Sequence, residues 1–111
     1  MNELFSITGT TLTIHLPSEL DHHSSEKIRL EADRLIRCRN IRSILFDFEK
    51  TVFMDSSGIG MIIGRYKNMR FMGGTVLAIR VSERMRRILT LSGIYKLIDI
   101  YEGMPQESNL S

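Results

Sequence analysis

Apolar and polar residues alternate at the start of the chain in the pattern of a β-hairpin. The alternation runs over residues 5–7 and again over residues 12–16, with the turn-forming triplet Thr8-Gly9-Thr10 between them. Pro17 follows directly and has no backbone N–H to donate, so it ends the second strand. The pattern predicts two antiparallel strands that bury one face.

Three later segments place apolar residues on one face of an α-helix. Ser82 is suited to cap the third helix and Gly93 to end it. In the second helix, Gly60 and Gly64 lie one turn apart, so we expect its backbone to sit close to a sheet. Three residues are each suited to cap the first helix: Asp21, Ser24 and Ser25. The apolar stripes consist of Ile28, Ala32, Leu35 and Ile36, then Ile59, Ile62, Ile63 and Tyr66, then Met85, Ile88 and Leu89.

Short apolar segments between the helices predict the remaining strands. Residues 44–48 and 75–79 are rich in branched side chains, and residues 97–100 form a last segment of the same kind. Strands that alternate with helices become parallel neighbours, so the order ββαβαβαβ predicts an α/β fold. Its sheet is mixed and mostly parallel, with an N-terminal antiparallel hairpin strand and packed helices. We expect one domain over residues 1–102 and a polar C-terminal tail over residues 103–111.

Composition and charge narrow the classes of function. The chain has 111 residues, 42% hydrophobic and 25% charged, with a net charge of +2. Such a small net charge does not favour nucleic acid or a membrane surface, and no apolar run is long enough to span a membrane. Cys38 is the only cysteine, which excludes an intrachain disulfide and a thiolate zinc site. We therefore expect a cytoplasmic protein that binds neither nucleic acid nor membranes.

Polar loops at the carboxyl edge of the predicted sheet contain the candidate chemistry. Residues 17–23 and 49–58 lie at this edge, and we expect the two loops to converge. The sequence Asp-Ser-Ser-Gly at residues 55–58 starts the second helix, so Ser56 has an exposed hydroxyl near unpaired N–H groups that would receive a phosphate. The simpler interpretation is that Asp55 caps the helix through the N–H groups that follow it. The two interpretations are compatible.

Catalytic and cofactor sites find little support in the sequence. Ser56 as a nucleophile would need His22 or His23 as its base, and no Gly-x-Ser-x-Gly motif accompanies it. The same adjacent imidazoles point apart, and only Glu19 or Asp21 would complete a metal site. The glycines of the second helix lack the spacing of a dinucleotide fingerprint, and no Walker loop occurs. We therefore expect neither an enzyme nor a metal or other cofactor.

Four segments together resemble a known family. They are Glu19-Leu20-Asp21-His22-His23, Phe53-Met54-Asp55-Ser56-Ser57-Gly58-Ile59-Gly60, Gly64-Arg65-Tyr66-Lys67 and Leu91-Ser92-Gly93-Ile94. In this order and at these separations they are similar to the anti-sigma factor antagonists of the STAS domain class, above all to the sporulation sigma-F type. The polar tail departs from that family, in which a final helix is expected.

The resemblance implies a phosphorylation switch. Unmodified members of the family bind an anti-sigma factor, which is also a serine kinase with its own ATP or ADP, and so free the sigma factor for transcription. The kinase phosphorylates the first serine after the aspartate, which is Ser56 here, and a phosphoserine phosphatase resets it. The resemblance also implies that Asp21 and His22 contact the kinase. The other partner-binding residues implied by the resemblance are Glu19, Met54, Asp55, Ser57, Gly58 and Ile59.

Two alternatives share the same fold. The chain is also compatible with a STAS scaffold of another partner-switching pathway, such as general stress, or with a module that senses a nucleotide or anion. The Glu-Leu-Asp-His-His sequence at residues 19–23 favours the sporulation type.

Overall fold

The computed structural model of the chain describes residues 3–105, which form seven strands and three α-helices. The strands are β1 (Phe5–Thr8), β2 (Thr11–His15), β3 (Glu19–Leu20), β4 (Ser43–Asp47), β5 (Phe53–Met54), β6 (Thr75–Ile79) and β7 (Asp99–Ile100). The helices are α1 (His22–Cys38), α2 (Ser56–Phe71) and α3 (Glu83–Ser92), and a single 3₁₀ turn, Ile94–Lys96, follows α3.

Five of the strands form the main sheet, in the order β1-β2-β4-β6-β7. β1 and β2 pair antiparallel as the predicted hairpin, while β4, β6 and β7 each run parallel to their neighbour on the β2 side. Strand β4 is buried along its whole length, which is typical of a strand covered on both faces of a parallel sheet. The predicted α/β architecture is therefore confirmed.

The helices begin after residues that the sequence predicts as caps, α3 also ends as predicted, and the apolar stripes face the core. Ser82 Oγ accepts the Met85 N–H at the start of α3, and Gly93 ends this helix in the left-handed region with φ 82°. One apolar cluster joins the helices to one face of the sheet, and a smaller one around Leu45 and Leu77 covers the other face. The helix residues in the larger cluster include Ile28, Ala32, Leu35, Ile36, Ile62, Met85 and Leu89, with Ile59, Ile63, Tyr66 and Ile88 packed against it at the margin.

A second, two-stranded sheet was not predicted. β3 and β5 pair in parallel, with Glu19 opposite Phe53 and Leu20 opposite Met54. The pairing extends beyond the strands, because the Leu20 carbonyl accepts the Asp55 N–H at 3.2 Å. The predicted convergence of the two loops is confirmed, and backbone hydrogen bonds are what hold the loops together.

The glycines of α2 do not have the role that their spacing suggests. Gly60 and Gly64 have open space where a side chain would be, so the expectation that they let the helix sit close to a sheet is wrong. Gly58 has that role instead: a Cβ on it would lie 2.6 Å from Met54 Cγ and 2.9 Å from Leu20 Cδ2. The first turn of α2 therefore packs directly on the small sheet.

The C-terminal part of the described chain packs beside β6. The predicted strand over residues 97–100 is shorter, because the 3₁₀ turn occupies the chain before it. The Arg80 N–H donates to the Gly103 carbonyl at 3.1 Å. Of the predicted tail, residues 106–111 lie outside the described residues, and the boundary at residue 102 stays a prediction. No helix within residues 3–105 is both long enough and apolar enough to cross a membrane.

Candidate functional site

Two helices start side by side at the carboxyl edge of the small sheet. Strand β3 leads through Asp21 into α1, and the neighbouring strand β5 leads through Asp55 into α2. The two starts touch where His22 Nδ1 lies 3.3 Å from Ser57 Oγ. We call Asp21, His22, Asp55, Ser56 and Ser57 together the serine edge.

Asp21 caps α1 through a reciprocal pair of hydrogen bonds. Its Oδ1 accepts the Ser24 N–H at 2.9 Å, and Ser24 Oγ accepts the Asp21 N–H at 3.0 Å. The N–H and the hydroxyl of Ser24 hold the pKa of the Asp21 carboxyl below its ordinary value, because both stabilise the ionised form. Of the three candidate caps, Asp21 has this role, Ser24 supports it, and Ser25 is buried.

Asp55 caps α2 in a similar way. Its Oδ1 accepts the N–H groups of Ser57 at 2.9 Å and of Gly58 at 3.3 Å. The predicted cap by Asp55 is therefore confirmed, and in the unmodified protein these two N–H groups are occupied by Asp55 rather than free. A phosphate on Ser56 would instead lie beside a carboxylate, so it would create a concentrated negative charge on this edge.

The two serines of α2 differ in their surroundings. Ser56 is exposed, and its Oγ makes no hydrogen bond with any residue that the structure describes. Ser57 is half-buried, with its Oγ against His22 and its N–H held by Asp55. Of the two hydroxyls, that of Ser56 is the one open to an incoming molecule.

The other residues expected to bind a partner divide into exposed and buried positions. Glu19 is exposed beside the serine edge, and Ile59 is partly exposed while it packs on the core. Met54 is only 5% exposed, and Gly58 is buried against it. Met54 and Gly58 therefore form the support behind the serine edge rather than its surface.

Sequence reasoning missed two exposed apolar residues next to this edge. Val52 and Phe53 are 51% and 44% exposed, although they precede and begin β5. Large apolar side chains open to water beside polar groups are typical of surfaces that bind other proteins. The signal in the sequence was an apolar pair placed after the polar loop of residues 49–51 and before Asp55.

A second polar cluster, also missed, lies at the carboxyl ends of the central strands. The Asp47 carboxylate, 2% exposed, accepts hydrogen bonds from Arg80 Nε at 3.1 Å and the Glu49 N–H at 3.0 Å, and it pairs with His15 Nδ1 at 2.8 Å. His15, on the polar side of β2, is thus partly exposed and bonded to a buried carboxylate. We call His15, Asp47 and Arg80 the ion-pair cluster.

The Asp47 carboxyl stays ionised in spite of its burial. Burial by itself raises the pKa, but hydrogen bonds from Arg80, the Glu49 N–H and His15 outweigh that effect and leave the pKa below its ordinary value. Within residues 3–105, no three histidine, cysteine, aspartate or glutamate side chains are grouped so that they could hold a metal ion.

The fold and this edge define the class of protein. The STAS domain family model matches residues 5–106, so the chain belongs to the STAS domain family. Two relatives are described as anti-sigma F factor antagonists: one from Paenibacillus polymyxa, 38% identical over 92 residues, and one from Lysinibacillus sphaericus, 34% identical over 92 residues. Each alignment covers 83% of this chain and 79% of the relative.

Solved structures and a further relative agree with this assignment. The chain is similar to the Bacillus anti-sigma factor antagonist SpoIIAA, whose unphosphorylated and phosphorylated structures both give a TM-score of 0.73, at 29% and 30% identity. The similarity covers 95% of this chain and 93% of SpoIIAA in both cases. An anti-sigma-B factor antagonist from Bacillus subtilis is 28% identical over 90 residues, which are 80% of each chain. The resemblance to anti-sigma factor antagonists is therefore confirmed.

Proposed function

We propose that this chain is an anti-sigma factor antagonist of the sporulation sigma-F type, controlled by phosphorylation of Ser56. The unmodified protein binds an anti-sigma factor that is also a serine kinase, and the sigma factor is released. The kinase transfers phosphate from its ATP to Ser56, and binding is lost. A phosphoserine phosphatase restores the binding form.

The observation that carries this proposal is the exposed Ser56 hydroxyl at the start of α2. No residue within 3–105 forms a hydrogen bond with it, so it is accessible to a kinase, whereas the neighbouring Ser57 is held by His22. The relatives described as anti-sigma F factor antagonists and the solved phosphorylated form of SpoIIAA support the same conclusion.

The proposed docking surface surrounds this hydroxyl. Asp21 and His22 supply polar contacts on α1, and we assign Val52 and Phe53 as apolar contacts on the other side. The Asp21 carboxylate is suited to a lysine or arginine of the partner. A phosphate adds a charge of about −1.5 to −2 at the centre of this surface, beside the Asp55 carboxylate, so one modification is enough to oppose docking.

In this function the chain is a regulatory protein and not an enzyme, and it needs no metal or cofactor of its own. Nucleotide enters with the kinase partner. We place the protein in the cytoplasm, where sigma factors and ATP are found, without binding to nucleic acid or membranes.

Phosphate mapping tests the assignment of the acceptor. The protein is incubated with the anti-sigma kinase of its own organism and ATP, and the modified residue is located by mass spectrometry. We expect phosphate on Ser56 and a large loss of labelling in Ser56→Ala, which should still bind the unloaded kinase because the first helical residue is not an obligatory cap. Phosphate on Ser57 alone would overturn the assignment.

A second candidate is an antagonist in a general stress pathway. The similarity to the anti-sigma-B factor antagonist of Bacillus subtilis favours it, at lower identity than the sigma-F relatives. Affinities for the sigma-F and sigma-B types of anti-sigma factor, measured side by side, separate the two candidates. Tighter binding to the sigma-B type would replace the sporulation assignment.

A further inference from the structure

The serine edge presents two adjacent hydroxyls, and a kinase has to modify one of them. Ser56 and Ser57 are the first and second residues of α2, so their side chains point in directions about 100° apart around the helix axis. Both belong to one rigid turn fixed by Asp55. The exposure of Ser56 already favours it as the acceptor, and a contact that restrains Ser57 would add to that preference.

We propose that His22 is a specificity-determining residue, which holds the Ser57 hydroxyl and thereby restricts phosphorylation to Ser56. This inference rests on the proposed function. It gives His22 a role beyond docking, because the residue acts on the choice between two serines of its own chain.

The contact between α1 and α2 supports this role. His22 Nδ1 lies 3.3 Å from Ser57 Oγ, so the imidazole occupies one side of that hydroxyl. The Ser57 N–H is bound to Asp55 Oδ1 at 2.9 Å, which fixes the residue from the backbone side as well. Ser56 Oγ has no such partner among the residues that the structure describes.

The chemistry of phosphoryl transfer explains why this contact matters. The acceptor oxygen forms a bond to the γ-phosphorus of ATP, the bond from that phosphorus to the ADP oxygen breaks, and the hydroxyl proton passes to a base of the kinase. The acceptor must therefore turn a lone pair in line with the leaving oxygen and its proton toward the kinase. A hydroxyl held by His22 turns less freely than that of Ser56, because turning it weakens the contact with Nδ1.

The opposite role, in which His22 activates Ser57 as a base, fits the structure less well. A catalytic imidazole is oriented by a third group on its other nitrogen. No residue within the described range forms a hydrogen bond to Nε2 of His22. Ser57 is also the less exposed of the two serines. The contact therefore restrains Ser57 rather than activating it.

The test measures how phosphate is divided between the two serines. Wild-type protein and His22→Ala are each phosphorylated by the anti-sigma kinase with ATP, and the ratio of Ser57 to Ser56 phosphate is read by mass spectrometry. Weaker docking lowers both products together, so this ratio responds to the restraint and not to docking. We expect the ratio to rise about threefold to tenfold, the factor that corresponds to one lost neutral hydrogen bond.

Matched variants separate restraint from general disturbance of the edge. His22→Asn keeps a hydrogen-bonding group near the position of Nδ1, so it should return the ratio toward the wild-type value. His23→Ala removes the neighbouring imidazole and should leave the ratio unchanged. Thermal unfolding of each variant checks that α1 is intact.

The outcomes that overturn the inference differ from those that overturn the proposed function. An unchanged ratio in His22→Ala, with Ser56 still phosphorylated, rejects the role of His22 and leaves the switch in place. A fall in the ratio shows that His22 activates Ser57 and rejects the inference too. Wild-type protein without phosphate on either serine rejects the proposed function and the inference with it.

Discussion

The serine edge and the ion-pair cluster are both polar groups at the carboxyl ends of strands, but they satisfy their polar atoms in different ways. In the ion-pair cluster, the buried Asp47 carboxylate forms hydrogen bonds with Arg80, His15 and the Glu49 N–H. In the serine edge, an exposed hydroxyl on Ser56 has no partner among the described residues. The difference indicates that the Asp47 carboxylate serves the structure, whereas the Ser56 hydroxyl is available to other molecules. Polar composition alone does not distinguish them.

The largest effect should come from charge at Ser56. We expect phosphorylation to lower the affinity for the anti-sigma factor by about a hundredfold or more, because the new charge would lie at the centre of the proposed docking surface. Ser56→Asp should have a smaller effect, since a carboxylate has less charge and a smaller hydration shell. Calorimetry of the three forms, with Ser56→Ala as the uncharged control, measures this order. Equal affinity of unmodified and phosphorylated protein would contradict the switch.

The next largest effect should come from Asp47, and it should affect stability alone. Asp47→Asn weakens the pairing with Arg80, so we expect the free energy of unfolding to fall by about 1–3 kcal/mol in urea titrations. Binding of the anti-sigma factor should not change. Weaker binding by a fully folded Asp47→Asn protein would show that the two regions are not separate.

The same urea titrations, repeated at decreasing pH, sharpen this test. The folded pKa of Asp47 is below its unfolded value near 3.8, so its contribution to stability is complete above that pH and is lost as the pH falls through the folded pKa. The variant lacks this titrating group. We therefore expect a shallower loss of stability below about pH 4 in Asp47→Asn than in wild type.

A smaller effect is expected at Asp21, which caps α1 and in the proposed function also contacts the anti-sigma factor. Asp21→Ala removes the cap of α1 and should cost about 0.5–2 kcal/mol of stability. Asp21→Asn keeps a capping side chain and removes the charge, so it should melt close to wild type and still bind the anti-sigma factor more weakly. Normal affinity of the asparagine variant would reduce Asp21 to a helix cap.

The smallest effects should come from the two glycines of α2 that have open space where a side chain would be. Gly60→Ala and Gly64→Ala each place a Cβ in open space, so each should raise the free energy of unfolding by about 0.5–1 kcal/mol. Gly58→Ala is the matched contrast within the same helix, because its Cβ would press on Met54 and Leu20. Thermal melting of the three variants should therefore give two increases and one decrease. A gain of stability at Gly58 would contradict the close packing of α2 on the small sheet.

The elements that the sequence predicts well are those with a repeated pattern. The stripe of Ile28, Ala32 and Leu35 and the alternation of residues 12–16 each repeat over several residues, so helix and strand are distinguished by their period. β3 and β5 have two residues each, which is too short for a period to appear. For that reason the small sheet that joins the two loops could not be predicted from the sequence.

The site was predicted in part for a related reason. The Asp-Ser-Ser-Gly motif is local, so the helix start and its cap follow from residues 55–58 alone. The ion-pair cluster joins His15, Asp47 and Arg80 across three strands, and no local pattern links them. The glycines of α2 show the same limit, since a one-turn spacing does not tell which side of the helix faces the core.

The small sheet also joins the serine edge to the main sheet. β3 follows β2 in the chain and β5 follows β4, so the parallel pairing of β3 with β5 continues that of β2 with β4. Between the two pairings, the Leu16 N–H donates to the Asp47 carbonyl. With two residue pairs, the small sheet depends on that longer ladder for its register. The placement of Asp21 and His22 beside Ser56 therefore depends on the register of the main sheet.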